Sequence, residues 1–345
     1  MFGVITVVFL LFNVLPGDPA RMMLGQRADI VSVEAINKDL GRDKPLITQY
    51  FNYLNDLSPI SIHNITDSKS YWFLDTTKYS SAIKLFKISK KSQIVIKAPY
   101  LRRSYQSKKK VSEILTESFP NTAILAIAAI GFALFIGIFI GILCAIKKDS
   151  LFDKLSLVFS VLGMSLPSFF AAILAAWIFA YLLGNITGLN MFGSLYSVDD
   201  FGNGEYLSLK NLILPAITLG IRPLAIVVEL TRNSLLDVLS QDYIRTAKAK
   251  GLSSFKIITK HALKNAMNPV VTSISGWFAS LMAGAVFIEY VFNWKGVGVV
   301  IVEALEKYDF PVVMGAVLFV SVLLVVINIF VDIIYGYLDP RVRVA

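Results

Sequence analysis

From Ala123 to Ile146 the chain carries no charged residue. Wound as a helix at about 1.5 Å per residue, this run outreaches the roughly 30 Å hydrocarbon core of a bilayer. Further uncharged runs cover Leu155 to Leu183, Pro269 to Ile288 and Phe310 to Val331, and Leu212 to Val228 is interrupted only by Arg222. Pro167 lacks an N–H and is expected to bend or break the helix that contains it. Met1 to Leu15 is uncharged too, but at about 22 Å as a helix it makes a short or truncated first span. A signal peptide would need a charged start and a better cleavage context than PGDPAR. The expected fold class is therefore an all-α membrane protein with about six transmembrane helices. Composition agrees: 55% of the residues are hydrophobic and the mean hydropathy is +0.65, above soluble usage.

Several function classes fall away on residue types alone. The single cysteine, Cys144, and the two histidines, His63 and His261, make neither a disulfide framework nor a zinc site. No G-x-x-x-x-G-K-[ST] stretch is present, so the chain lacks a phosphate-binding P-loop and is not itself an ATPase. No His/Glu/Asp cluster, G-x-S-x-G or carboxylate pair lies within a span, which argues against an embedded enzyme. No cofactor or metal is expected. The formal charge of +9 reads as topology and attraction to anionic lipid, with no nucleic-acid partner.

One polar stretch lies between long apolar ones. Gln241 to Pro269, QDYIRTAKAKGLSSFKIITKHALKNAMNP, carries basic residues from Arg245 to Lys264 against one acid, Asp242. A short amphipathic helix is expected to stop at Gly251, where φ can turn positive. A second is expected to start at Ser253 or Ser254, whose hydroxyl can cap free N–H groups, and to end before Pro269.

This helix–Gly–helix hairpin resembles the EAA loop of ABC-importer permeases. Anchored on Gly251, the first three motif positions fall on Arg245, Thr246 and Ala247, and its Leu on Leu263; His261 stands for Ile and Lys264 for Pro. YIRTAKAKGLS followed by HALKNAMNPVV is similar to the variant in oligopeptide and dipeptide (peptide/nickel) permeases. Other blocks resemble that family too: FLLFNVLPGDPA, DLGRDKPLITQYFNYL, LRRSYQSKKKVSEILTESFPNTAILA, ILPAITLGIRPLAIVVELTRNSLLDVL, EYVFNWKGVGVVIVEALEKYDFPVVMG and INIFVDIIYGYLDPRVR. Three positions depart from the pattern: Glu229 where a basic residue is common, Lys295 where proline is usual, and a first span lacking a basic start. The last of these suggests that the chain begins late, inside its first helix.

The resemblance implies a non-enzymatic permease subunit of an ATP-driven importer in a bacterial inner membrane, most simply for di- or oligopeptides. Its implied partners are a second homologous permease, two cytoplasmic ATP-binding subunits, an extracytoplasmic substrate-binding protein and membrane lipid. Nickel complexes or another small solute are the alternative cargo. An ion-coupled secondary transporter is a rival from another class, but it would place ionisable groups at mid-membrane, and only Arg222 and Glu229 offer themselves. The implied ATPase-coupling residues are Arg245, Thr246, Ala247, Lys248, Ala249, Lys250, Gly251 and Leu252. Ala247 and Ala249 would admit a close partner surface, and the basic side chains would meet carboxylates.

The expected layout is a first span over 1–15, an extracytoplasmic region over 16–118 and a permease domain over 119–340 that includes the coupling loop 232–269. Within the second, about 58–98 has no counterpart in the family. Its alternation (Ile83 to Ile88, Gln93 to Lys97) suggests short strands, so a small β-containing extracytoplasmic insert is expected, either as decoration or as a contact surface for the binding protein or partner permease. Basic residues at 147–154, 232–269 and in the tail PRVRV put those segments and both termini on the cytoplasmic side. Arg222 and Glu229, two turns apart on one face, make a possible intramembrane polar pair, as a lining, an interhelical ion pair or a side chain reaching the interface. Gly137 and Gly141 form a G-x-x-x-G that permits close helix approach.

Overall fold

The computed structural model describes residues 1–13, 44–67, 70–75, 78–79, 82–198, 204–282 and 285–338, the side chains of 334–338 excepted. The end of the expected first span, the PGDPA run, the DLGRD segment and the tail PRVRV lie outside the described residues. The chain divides into two compact units: Met1–Glu117 with Val300–Val322, and Ser118–Val299 with Leu323–Ala345.

In the first unit, helix α1 (Phe2–Asn13) precedes the amphipathic α2 (Leu46–Leu57). Val8 and Phe9 of α1 and Tyr53 of α2 bury themselves with Met314 and Leu318. Strands β1 (Ile60–Asn64), β2 (Ile83–Lys87) and β3 (Ser92–Ile96) form an antiparallel sheet in the order β1-β3-β2, with Ile62 opposite Ile94. Alternating residues face inward, as a half-buried strand requires: Val95 on β3, Ser61 and His63 on β1. A polar knot ties sheet to helix. The buried Asp56 carboxylate accepts from the hydroxyls of Tyr71 (3.0 Å) and Tyr79 (2.5 Å) and pairs with Lys78 (3.2 Å). Lys97 Nζ donates to the Asp56 carbonyl at 2.5 Å. Burial disfavours its charge and holds its pKa down to about 8.

Helix α3 (Val111–Ile146) begins well before Ala123 and runs through Pro120. Helix α4 (Leu151–Ser165) starts at Ser150, whose hydroxyl accepts from the Asp153 N–H, and stops where Pro167 forces Leu166 into extended backbone (φ −72°, ψ 131°). Helix α5 (Ser168–Ala175) resumes at a 110° bend and continues as a π-helical stretch, Ala176–Leu182. After one helical turn at Gly184–Thr187 and a two-stranded ribbon, β4 (Tyr196–Val198) with β5 (Glu205–Leu207), comes α6 (Lys210–Leu239). Then follow α7 (Asp242–Ala249), α8 (Ser254–Lys256), a π-helical turn at Ile257–Ala262 and α9 (Leu263–Ala266). The chain closes with α10 (Asn268–Met282), α11 (Val286–Phe292), α12 (Val297–Glu306) and α13 (Phe310–Leu338).

Among the described residues, three helices (α3, α6 and α13) are long and apolar enough to cross a membrane, and up to five spans result if the bent pairs α4–α5 and α10–α11 each count as one. At 12 residues α1 is shorter than a crossing needs by itself. Helix α6 is the axis of the second unit: 61% of its most apolar window is buried, against 33% for α3. The glycines explain how α3 reaches it. A Cβ on Gly137 would lie 2.8 Å from Val227 Cγ1, and one on Gly141 only 2.6 Å from Thr231 Cβ. The G-x-x-x-G step is thus the seam along which α3 and α6 touch, and larger residues would push them apart.

Candidate functional site

The basic hairpin spans Asp242 to Ala266 and is built locally. Helix α7 ends with Lys250 as its cap, and Gly251 adopts φ +77°. The Gly251 N–H donates to the Lys248 carbonyl (2.9 Å) and the Leu252 N–H to the Ala247 carbonyl (3.3 Å), the two bonds of a Schellman turn. Ser253 then caps the second arm, its hydroxyl accepting from the Lys256 N–H at 3.4 Å. Asn265 Nδ2 donates to the Tyr243 hydroxyl across the arms (3.0 Å).

The hairpin has an apolar inner face and a basic outer one. Ile244, Ala247, Ile257, Ala262 and Ala266 bury themselves against Ala145 at the end of α3 and Leu235 on α6, with Leu252 packed alongside. Ala247 therefore faces inward, in contact with its own chain, whereas Ala249 is exposed. Arg245, Thr246, Lys248, Lys250 and Gly251 are exposed as well. Among the described residues Arg245 makes a loose ion pair with Asp242 (3.3 Å) and is otherwise exposed, so its guanidinium stays open to a partner. Thr246 Oγ1 is turned back onto the Asp242 carbonyl at 3.1 Å.

Above the hairpin, α6 carries two arginines in contrasting surroundings. Arg232 is held by Asp153 of α4 in a two-pronged pair, Nε to Oδ1 at 2.5 Å and Nη2 to Oδ2 at 2.6 Å. The Asp149 N–H also donates to Asp153 Oδ2 (2.9 Å), which pins the turn before α4 to the same carboxylate. Arg222 is different. Its Nη2 donates to the Leu166 carbonyl at 3.3 Å, and its buried Nε has no hydrogen-bond partner. Glu229 is exposed, and no ion pair joins it to Arg222 among the described residues. The acceptor that Arg222 finds is the Leu166 carbonyl. The helix break at Pro167 leaves the Leu166 carbonyl outside regular helix and within reach of the guanidinium.

A cavity of about 260 Å³ opens beside Arg222, lined also by Leu166, Ser168, Thr218, Trp277 and Ser280. Two further acidic positions matter that sequence reasoning passed over. Asp153 reads as one more charge in the turn KKDSLFDK; the spacing Ser150-x-x-Asp153 announces a helix start, but nothing local announces Arg232. Glu289 is fully buried, accepting from Thr122 Oγ1 (2.8 Å) and the Gly298 N–H (2.6 Å) at the start of α12. Its partners are distant in sequence, so no motif marks it.

Comparison with known proteins places this arrangement. The model of the family described as "Binding-protein-dependent transport system inner membrane component" matches residues 137–344, and that of its N-terminal region matches residues 1–67. The dipeptide transport system permease protein DppB of Alkalihalophilus pseudofirmus is 34% identical, with 99% of this chain and 95% of the relative aligned. The di/tripeptide permease protein DppB of Pseudomonas aeruginosa is 33% identical over 99% of this chain and 94% of its own length. Among solved structures, an inward-facing form of the MetNI methionine ABC transporter matches 66% of this chain and 97% of its own, with a TM-score of 0.51 at 14% identity, a likeness of fold. Two full-length relatives and a family model covering most of the chain agree: the protein belongs to the binding-protein-dependent transport system inner membrane components, multi-pass membrane subunits of ABC transporters.

Proposed function

We propose that this chain is the permease subunit of an ATP-driven importer for di- or oligopeptides, and that the hairpin around Gly251 receives the motion of the ATPase. The names of its relatives supply the substrate class. The observation that carries the mechanism is the division of the hairpin into an inner face packed on α3 and α6 and an exposed basic outer face. A lever needs both: rigid attachment to the spans and free groups for a partner. Arg245, Lys248 and Lys250 would meet carboxylates on the ATPase, Ala249 and Gly251 would allow close approach, and Thr246, Ala247 and Leu252 hold the turn in shape. ATP binding at that partner supplies the difference in affinity between two states that any conformational shift requires.

In this reading α1, α3, α4–α5, α6, α10–α11 and α13 make six spans, with both termini and the hairpin cytoplasmic. Residues 16–118 lie outside the cell, with the sheet at 58–98 either decoration or a contact surface for the binding protein or the partner permease. ATP hydrolysis resides on two separate subunits, and a second homologous permease completes the path. Gly251→Pro is the direct test. Proline cannot reach φ +77° and lacks the N–H that bonds Lys248. The complex is expected to co-purify and hydrolyse ATP while peptide uptake is lost; wild-type uptake by this variant would defeat the lever.

A further inference from the structure

We infer that Arg222 forms a carboxylate-recognition point inside the membrane, taking the C-terminal carboxylate of a peptide in transit. The inference rests on the peptide-importer reading and deepens it. Arg222 sits about 18 Å along α6 from Lys210 and about 26 Å short of Leu239, counted at helical rise, so it belongs to the middle of a span. A guanidinium at that depth is costly unless it meets protein groups or a wet cavity, and such groups tend to mark substrate paths.

The chain provides little to compensate it. Among the described residues, five N–H donors in a planar fork have one backbone carbonyl at 3.3 Å, and Nε is buried with no acceptor. Arg232, ten residues on, shows what full satisfaction looks like in this protein: a carboxylate engaged through two nitrogens. Arg222 lacks that carboxylate and has a cavity instead. The chemistry that fits the vacant fork is a bidentate carboxylate. Ser168, Ser280 and Trp277, residue types able to hydrogen-bond, are among those that line the same space. At about 260 Å³ the cavity is smaller than the roughly 300–1,000 Å³ that encloses a whole drug-sized ligand, so it suits the end of a chain. Because one backbone carbonyl also competes for the guanidinium, the hold is weak enough to release its cargo, which transport demands.

The test uses the complete complex with its partner subunits in lipid nanodiscs, without nucleotide or binding protein, probed with radiolabelled dialanine and dialaninamide. The wild type is expected to retain dialanine about tenfold better than the amide. Arg222→Gln should abolish that preference and Arg222→Lys, which keeps the charge without the fork, should retain part of it. Equal retention of acid and amide by the wild type, or an undiminished preference in Arg222→Gln, overturns the site. If Arg222→Gln does not co-purify with its partners, Arg222→Lys decides, and an unchanged preference there overturns the site equally. A parallel uptake assay with the binding protein present separates this failure from a larger one. Absence of any peptide uptake by the wild type sinks the peptide reading, whereas uptake that ignores Arg222 sinks the carboxylate site alone.

Discussion

The base and the middle of α6 treat the same residue type in opposite ways. At the base, Arg232 and Asp153 share two short hydrogen bonds and little solvent, with side chains 14% and 2% exposed. In the middle, Arg222 leans on a single carbonyl beside an open cavity. A buried ion pair with good geometry fixes which surfaces meet, even where its net contribution to stability is small. An unpaired arginine fixes nothing and keeps its bonding capacity for something else. The contrast separates a structural joint from a group available to cargo, and it can be broken experimentally.

The largest effect is expected from Asp153→Asn. Removing one partner strands a buried guanidinium and should cost about 3–5 kcal/mol, read as a lowered melting temperature of the purified protein. A melting point unchanged by this substitution would place the pair among the ornamental ones. Gly141→Leu comes next, because the new side chain would collide with Thr231, the neighbour of Arg232 in the chain. Overpacking at this seam should cost about 1–3 kcal/mol and loosen α3 from α6. The charge swap Asp153→Arg with Arg232→Asp should recover part of what either single change loses, and a double-mutant cycle measures the coupling, expected at about 0.5–3 kcal/mol. Smallest of all, Arg222→Leu should leave thermal stability within about 0.5 kcal/mol of wild type or raise it, since it removes a charge held by no carboxylate among the described residues. A loss as large as that of Asp153→Asn would erase the distinction.

Legibility in the sequence followed distance along the chain. The hairpin was readable because its determinants are neighbours: Gly251 stops one helix and Ser253 starts the next, both decided within a few residues. The break at Pro167 was readable for the same reason. Strands β2 and β3 coincide with visible alternation at 83–88 and 93–97, whereas in β1 the sequence ISIHN alternates over too few residues to mark a strand without its partner. The inward turn of Ala247 needed knowledge of what lies behind the hairpin. The Arg232–Asp153 and Glu289–Thr122 contacts join residues 79 and 167 positions apart, and no spacing rule reaches that far. Arg222 stood out as a charge in an apolar run, but which acceptor it finds depends on where the break at Pro167 leaves a carbonyl.

The π-helical turn in the second arm of the hairpin bears on how this segment tolerates changes of length. Ile257 and Ala262 are five apart, yet both are anchored in the same apolar seam. In a regular α-helix, five steps rotate a side chain by about 140°, which would swing one of the two away. The wider turn absorbs that surplus residue. Losing one of the exposed positions between them would bring the spacing to four and let the arm rewind as ordinary α-helix with both anchors still seated. Gaining one would have no such remedy, so shortening is the length change this arm is built to survive.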